Sequence, residues 1–131
     1  MTARVAAVGG IGLLSVAVWS AAATTPSFKR DIAPVLEERC SGCHLTGQEA
    51  GQLSLGAESS YASLVGRASV ESALARVKPG DPGASYLLKK LEGTQLDSGG
   101  KGARMPLGEG PIDPRFLDVL RHWIASGAAD D

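Results

Sequence analysis

Aromatic residues, strand-like alternation and an excess of charge are what this sequence lacks. Aromatic residues make up only 5% of the 131 residues, and a small domain has difficulty burying enough apolar surface without another source of core. The 13 basic and 14 acidic residues nearly cancel and form no basic stripe, which argues against nucleic-acid binding. No segment alternates apolar and polar residues as a half-buried strand does, and no internal repeat occurs. These absences favour one small helical domain.

Cysteine is also scarce, and both cysteines of the chain belong to the segment Cys40-Ser41-Gly42-Cys43-His44. Two thiols at this spacing, followed directly by a histidine, form the attachment motif of a c-type haem. Each thiol can add to one vinyl group of the porphyrin, and the imidazole can then bind the iron. Cys40 and Cys43 are therefore candidate covalent haem-binding residues, and His44 is the candidate proximal ligand. A haem would also supply the large apolar surface that the sequence lacks.

A Cys-x-x-Cys pair also occurs in dithiol oxidoreductases and in zinc sites. A thioredoxin-like pair would follow a strand, whereas residues 31–39, which precede Cys40, have a helical pattern. A structural zinc needs four ligands, and His122 is too distant in sequence for zinc-finger spacing. A disulfide across two residues would be strained. Haem attachment is the favoured interpretation, and thiol redox chemistry and metal binding remain open alternatives.

Residues 1–23 are typical of a secretory signal peptide. Arg4 precedes an apolar run from Val5 to Trp19, and Ala21-Ala22-Ala23 supplies a small-residue cleavage site. The alternative is an uncleaved inner-membrane anchor, since about 19 apolar residues are close to the minimum that spans a bilayer. In both cases the rest of the chain is expected to be exported to the bacterial periplasm.

We expect residues 24–30 to be a linker and residues 31–128 to form one domain. Asp31 can cap a first helix that leads into Cys40. Short helices are expected at residues 61–65 and 84–91, the second after a breaker-rich turn, with Lys89 and Lys90 on a solvated face. A final helix is expected to begin at the capping residue Asp113, with Pro114 in its first position, and to end at Gly127.

The segment from Gly93 to Pro111 is rich in glycine and has no helical period. A loop of this length inside a small domain is usually functional or disordered. It contains Met105, the only methionine after the N-terminal segment, and methionine with histidine is a known pair of haem ligands. Met105 is therefore the candidate second axial ligand, with a role as core filler as the alternative. Arg104 is a candidate partner for a haem propionate, and His122 is expected to face solvent.

The order of these features resembles the monohaem class I cytochromes c, and more closely the small cytochrome c domains that are abundant in planctomycetes. The landmarks that carry the resemblance are Ile32-Ala33-Pro34-Val35-Leu36, the Cys40–His44 motif, Tyr61–Val65, Val77–Pro82, Arg104-Met105-Pro106 and Leu120–Ile124. The resemblance implies an all-α cytochrome c fold of a few short helices and long loops around one covalent haem c. It implies that the first and last helices pack together, and that His44 and Met105 are the axial ligands.

The same resemblance implies one-electron transfer with Fe(III)/Fe(II) cycling in the periplasm, in exchange with redox partner proteins. Such a carrier is not an enzyme. The alternative is a haem-based small-ligand-binding or sensor protein, or a weak peroxidase, in which the sixth ligand is displaceable. The flexible character of the glycine-rich segment is what favours this alternative.

Overall fold

The structure is a computed structural model, and it describes residues 24–131. The expected signal peptide, residues 1–23, lies outside this range. The described part contains four α-helices and no β-strand, which confirms the expected all-α class. The helices are α1 (Ala33–Cys40), α2 (Ser60–Leu64), α3 (Tyr86–Glu92) and α4 (Pro114–Ala125). None of the helices within residues 24–131 has the length and apolar character needed to cross a bilayer.

The first helix begins earlier than the sequence indicated. A π-helical turn, Phe28–Ile32, leads directly into α1, and Ser27 caps it by accepting a hydrogen bond from the Arg30 amide at 3.3 Å. The Asp31 carboxylate in turn accepts the Ser27 amide at 2.8 Å. The expectation of a cap at Asp31 is therefore wrong, because Asp31 lies inside the first turn and its carboxylate bonds back to the capping residue Ser27.

The C-terminal helix α4 begins as predicted, since the Asp113 carboxylate accepts the Arg115 amide at 2.8 Å. Its central side chain is Trp123, which is 1% exposed. The Trp123 ring lies 5.3 Å from that of Phe28 and 6.4 Å from that of Tyr61. This aromatic cluster packs the last helix against the start of the first helix. The cluster is part of one hydrophobic core, whose other fully buried aliphatic residues include Ile32, Leu36, Leu64, Leu88, Leu120 and Ile124.

The residues after α4 turn back over this cluster. Gly127, with a φ of +107°, ends the helix as predicted. The Trp123 indole donates to the Ala129 carbonyl at 3.0 Å, and the Asp131 carboxylate accepts the amide of Phe28 at 2.9 Å. The tail thus satisfies an amide at the start of the first helix, where α-helical structure leaves donors without partners.

The segment between α3 and α4 is irregular, as its glycine content predicts, apart from a 3₁₀ turn at Leu96–Ser98. It folds back against α3, so that Gly100 lies against the Tyr86 ring and an added Cβ there would collide with the Tyr86 hydroxyl group. Gly93 ends α3 with a φ of +81°, a conformation that favours glycine. The predicted helix at 61–65 is present one residue earlier, and α3 begins two residues later than predicted, after the turn Pro82–Ala84.

Candidate functional site

The last turn of α1 and the turn that follows it place the motif residues together. Cys40 is the final residue of α1, and its carbonyl accepts the amides of Cys43 at 3.2 Å and His44 at 3.0 Å. Cys40 is half-buried and packs against the core, whereas Cys43 is exposed. This tight turn brings both thiols and the imidazole to the wall of one cleft.

Met105 reaches the same cleft from the irregular segment. Its side chain is half-buried against the core, and its amide donates to the Lys90 carbonyl at the end of α3 at 2.9 Å. The structure therefore brings together the four residues proposed as the site from sequence: Cys40, Cys43, His44 and Met105. No local pattern joins Met105 to the cysteine motif; only the fold does.

The cleft has two adjoining parts, which meet at His44, Ala50 and Met105. The thiol part is also lined by Arg39, Cys40, Cys43, Pro106, Leu107 and Glu109. The other part is named the polar part for the charged side chains Glu71, Arg76 and Lys90 on its wall, although most of its surface is apolar. It is also lined by Gly51, Leu53, Leu64, Ser69, Tyr86 and Leu87. The two candidate axial ligands thus lie where the two parts join.

The His44 imidazole has an unsatisfied polar atom. Its Nδ1 is buried and has no hydrogen-bond partner within residues 24–131. Buried polar atoms in folded proteins nearly always have a partner, because leaving one unpaired costs about 1–3 kcal/mol. The His44 imidazole lines both parts of the cleft, and because Nδ1 is itself buried, the other ring nitrogen is the one that a group bound there could reach.

The environment of Cys40 weighs against the dithiol alternative. Burial raises the pKa of the Cys40 thiol to about 11. Reactive cysteines of dithiol oxidoreductases instead have lowered pKa values, because the thiolate is the nucleophile. The zinc alternative is also unsupported, since no three His, Cys, Asp or Glu side chains within residues 24–131 converge in a metal-binding group.

Lys90 corrects one expectation from the sequence. Lys89 is half-exposed, but Lys90 is only 8% exposed, so its assignment to a solvated face is wrong. Its ammonium group lies 3.0 Å from the Glu71 carboxylate and donates to the Lys101 carbonyl at 2.9 Å. Lys90 is buried because the irregular segment covers this side of α3, and it tolerates burial because Glu71 compensates its charge.

Arg76 is a cleft residue that the sequence analysis missed. Its guanidinium group donates to the carbonyls of Ser63 at 2.8 Å, Gly51 at 3.0 Å and Gln52 at 2.7 Å. Burial lowers the pKa of Arg76. No sequence motif marks this residue, because its partners come from α2 and from the loop that precedes it.

The two other residues considered at the sequence level lie outside the cleft wall. Arg104 packs over Gly93, where an added Cβ would lie 3.1 Å from its Cδ, and it donates to the Glu109 carbonyl at 3.4 Å. Arg104 therefore does not contribute a positive charge to the cleft wall. His122 is exposed on α4, as predicted.

Comparison with known proteins identifies no relative. No family model, no curated protein and no solved structure matches the chain. The function must therefore be inferred from the residues that line the cleft.

Proposed function

We propose that the protein is a monohaem c-type cytochrome that transfers single electrons. The observation that carries this proposal is the convergence of Cys40, Cys43 and His44 with Met105, which is 61 residues from His44 in sequence, on one cleft. A thiol pair alone has several uses. A thiol pair, an imidazole and a thioether around one apolar cleft have the donor set of a His/Met c-type haem site.

The residues of the cleft fit this cofactor. Cys40 and Cys43 would hold the haem through thioethers, and His44 and Met105 would occupy its two axial positions. When bound, the haem supplies a reversible one-electron Fe(III)/Fe(II) couple. The chain's part is to bind it, to fill both axial positions and to exclude water with apolar groups such as Leu53, Leu64 and Leu87. A thioether at the half-buried Cys40 does not ionise, so it avoids the desolvation cost that raises the pKa of the free thiol.

The arrangement of the helices supports a cytochrome c fold. The first helix ends at the first haem-attachment cysteine, and its opening turn packs on α4 through Phe28 and Trp123. Short helices joined by long irregular segments leave the cleft between them. These features support the architecture that the sequence resemblance implies.

The thiol part of the cleft is suited to electron exchange with a partner protein. Cys43 is exposed, and the nearby apolar side chains Leu45 and Leu107 are 58% and 68% exposed. A haem attached here would have its thioether edge near the surface, within reach of a docked redox protein. We propose that this exchange takes place in the periplasm, with residues 1–23 as the export signal.

Acid extraction tests the covalent attachment. The exported protein is produced together with haem-attachment machinery, as wild type and as the Cys40→Ala/Cys43→Ala double variant. Wild-type protein is expected to keep its haem in acid, and the double variant to lose it. Ser41→Ala is the matched control, because Ser41 lies between the two cysteines in the same turn and carries no thiol, and it should retain haem. Acid-stable haem in the double variant, or none in the wild type, would disprove the proposal.

The position of Met105 in an irregular, half-buried segment is the one observation that favours a ligand-binding or weak peroxidase function. Two contacts oppose displacement of Met105. Its amide donates to Lys90, and Glu109, further along the segment, forms an ion pair with Arg39 at the end of α1. Rapid carbon monoxide binding to the reduced native protein would favour the ligand-binding function over electron transfer.

A further inference from the structure

The polar part of the cleft holds two cations with different surroundings. Lys90 is paired with Glu71, which also accepts a hydrogen bond from the Tyr86 hydroxyl group at 3.2 Å. Arg76 has no carboxylate within ion-pair distance in the described part of the chain, residues 24–131. The cleft wall thus contains one compensated and one uncompensated positive charge.

Arg76 is held in place by neutral groups. Its two terminal nitrogens donate to the carbonyls of residues 51, 52 and 63, and one also contacts the Ser63 hydroxyl group at 3.3 Å. These bonds fix the guanidinium plane but do not neutralise its charge. A partly buried, fixed and uncompensated cation is costly unless an anion approaches it. The structure therefore places a fixed positive charge on the cleft wall, and this charge would attract a negative group bound in the cleft.

The chemistry of the proposed cofactor supplies such a group. The vinyl groups that react with cysteine lie on one side of the porphyrin, and its two propionates lie on the other. Both cysteines line the thiol part of the cleft and neither lines the polar part. A haem bound through Cys40 and Cys43, with iron between His44 and Met105, would extend its propionates into the polar part.

We propose that Arg76 is the counter-ion of a haem propionate. This inference rests on the proposed function and assigns a cofactor-binding role to a residue outside the haem motif. Lys90 is not the primary partner, because Glu71 already compensates it. The other titratable groups that line this part of the cleft are His44, Glu71 and Tyr86.

The test compares the reduction potential of the purified holoprotein across pH in wild type, Arg76→Gln and Arg76→Lys. Loss of the cation stabilises Fe(III), so the potential of Arg76→Gln is expected to fall. The propionate pKa, read from the pH dependence of the potential, is expected to rise by about 1–3 units, because a nearby opposite charge lowers a carboxyl pKa by that amount. Arg76→Lys keeps the charge and should stay close to wild type.

Two further variants identify the source of the effect. Arg115→Gln is the matched control: it removes an exposed arginine of α4 that does not line the cleft, and it should leave the pH profile unchanged. A Glu71→Gln background removes the protein carboxylate that lines the polar part of the cleft, and the shift caused by Arg76→Gln should persist in that background.

Each outcome has a distinct meaning. Equal pH profiles in Arg76→Gln and wild type would overturn the propionate assignment and leave the cytochrome proposal intact, provided that haem is attached. Equal shifts of the propionate pKa in Arg76→Gln and Arg76→Lys would show that Arg76 only holds the neighbouring loop in place. That result would also overturn the propionate assignment. A wild-type protein that attaches no haem would instead remove the proposed function on which the inference rests.

Discussion

Replacing Trp123 with alanine is expected to cost about 4 kcal/mol of unfolding free energy while leaving the haem attached. The indole is 1% exposed and lies against Phe28 and Tyr61. Removal of a fully buried large aromatic side chain costs about 3–5 kcal/mol. About 1 kcal/mol of this total is assigned to the lost hydrogen bond from the indole to the Ala129 carbonyl, which is 3.0 Å long.

The assay is guanidinium unfolding of the holoprotein, followed by the haem absorbance and by far-ultraviolet circular dichroism. His122→Ala is the matched control, because His122 is adjacent on α4 and exposed, and an exposed substitution should change stability by no more than about 0.5 kcal/mol. A loss below about 1 kcal/mol in Trp123→Ala would refute the assignment of this cluster as the contact that joins the two ends of the domain. A changed haem spectrum in His122→Ala would refute the exclusion of His122 as a ligand.

Three further outcomes are expected. Met105→Ala should lower the reduction potential and allow carbon monoxide to bind the reduced protein, with haem still attached; an unchanged potential would remove Met105 from the iron. The Glu49 carboxylate accepts hydrogen bonds from its own backbone amide and from the hydroxyl and amide groups of Thr46. These bonds lower the pKa of Glu49 to about 2 from an ordinary value near 4.5. Its contribution to stability should therefore be present above about pH 4.5 and be lost as the pH falls towards 2, and thermal unfolding of Glu49→Gln should lack that part of the pH dependence. Reversing one charge of the Arg39–Glu109 pair should speed carbon monoxide binding, and reversing both charges should restore the wild-type rate; equal rates in all variants would show that the pair does not hold the Met105 segment.

The parts of the protein that the sequence predicts well are those with short-range causes. Cys40, Cys43 and His44 lie together because their spacing places them in one tight turn, in which the Cys40 carbonyl accepts the amides of Cys43 and His44. The Asp113 cap and Gly127 stop define α4 because capping depends on residues within one turn. Met105 could be proposed because the chain after residue 23 offers no other methionine.

The features that the sequence did not predict depend on contacts between distant segments. Lys90 is buried because residues of the 93–111 segment fold over α3, and nothing near Lys90 in sequence indicates that cover. The first helix starts at Phe28 because Ser27 and Asp131 satisfy its first amides, and Asp131 lies at the far end of the chain. Arg76 enters the cleft wall through carbonyls of α2 and of the preceding loop.

The visible absorption spectrum of the exported protein, oxidised and then reduced, tests the central claim most directly. The proposed His44/Met105 cytochrome predicts a sharp pair of reduced c-type bands and a weak long-wavelength methionine-to-Fe(III) band in the oxidised form. A haem spectrum without that weak band would contradict the ligation by Met105. No haem absorbance, with export and haem-attachment machinery both present, would contradict the cytochrome itself and return Cys40 and Cys43 to thiol or metal chemistry.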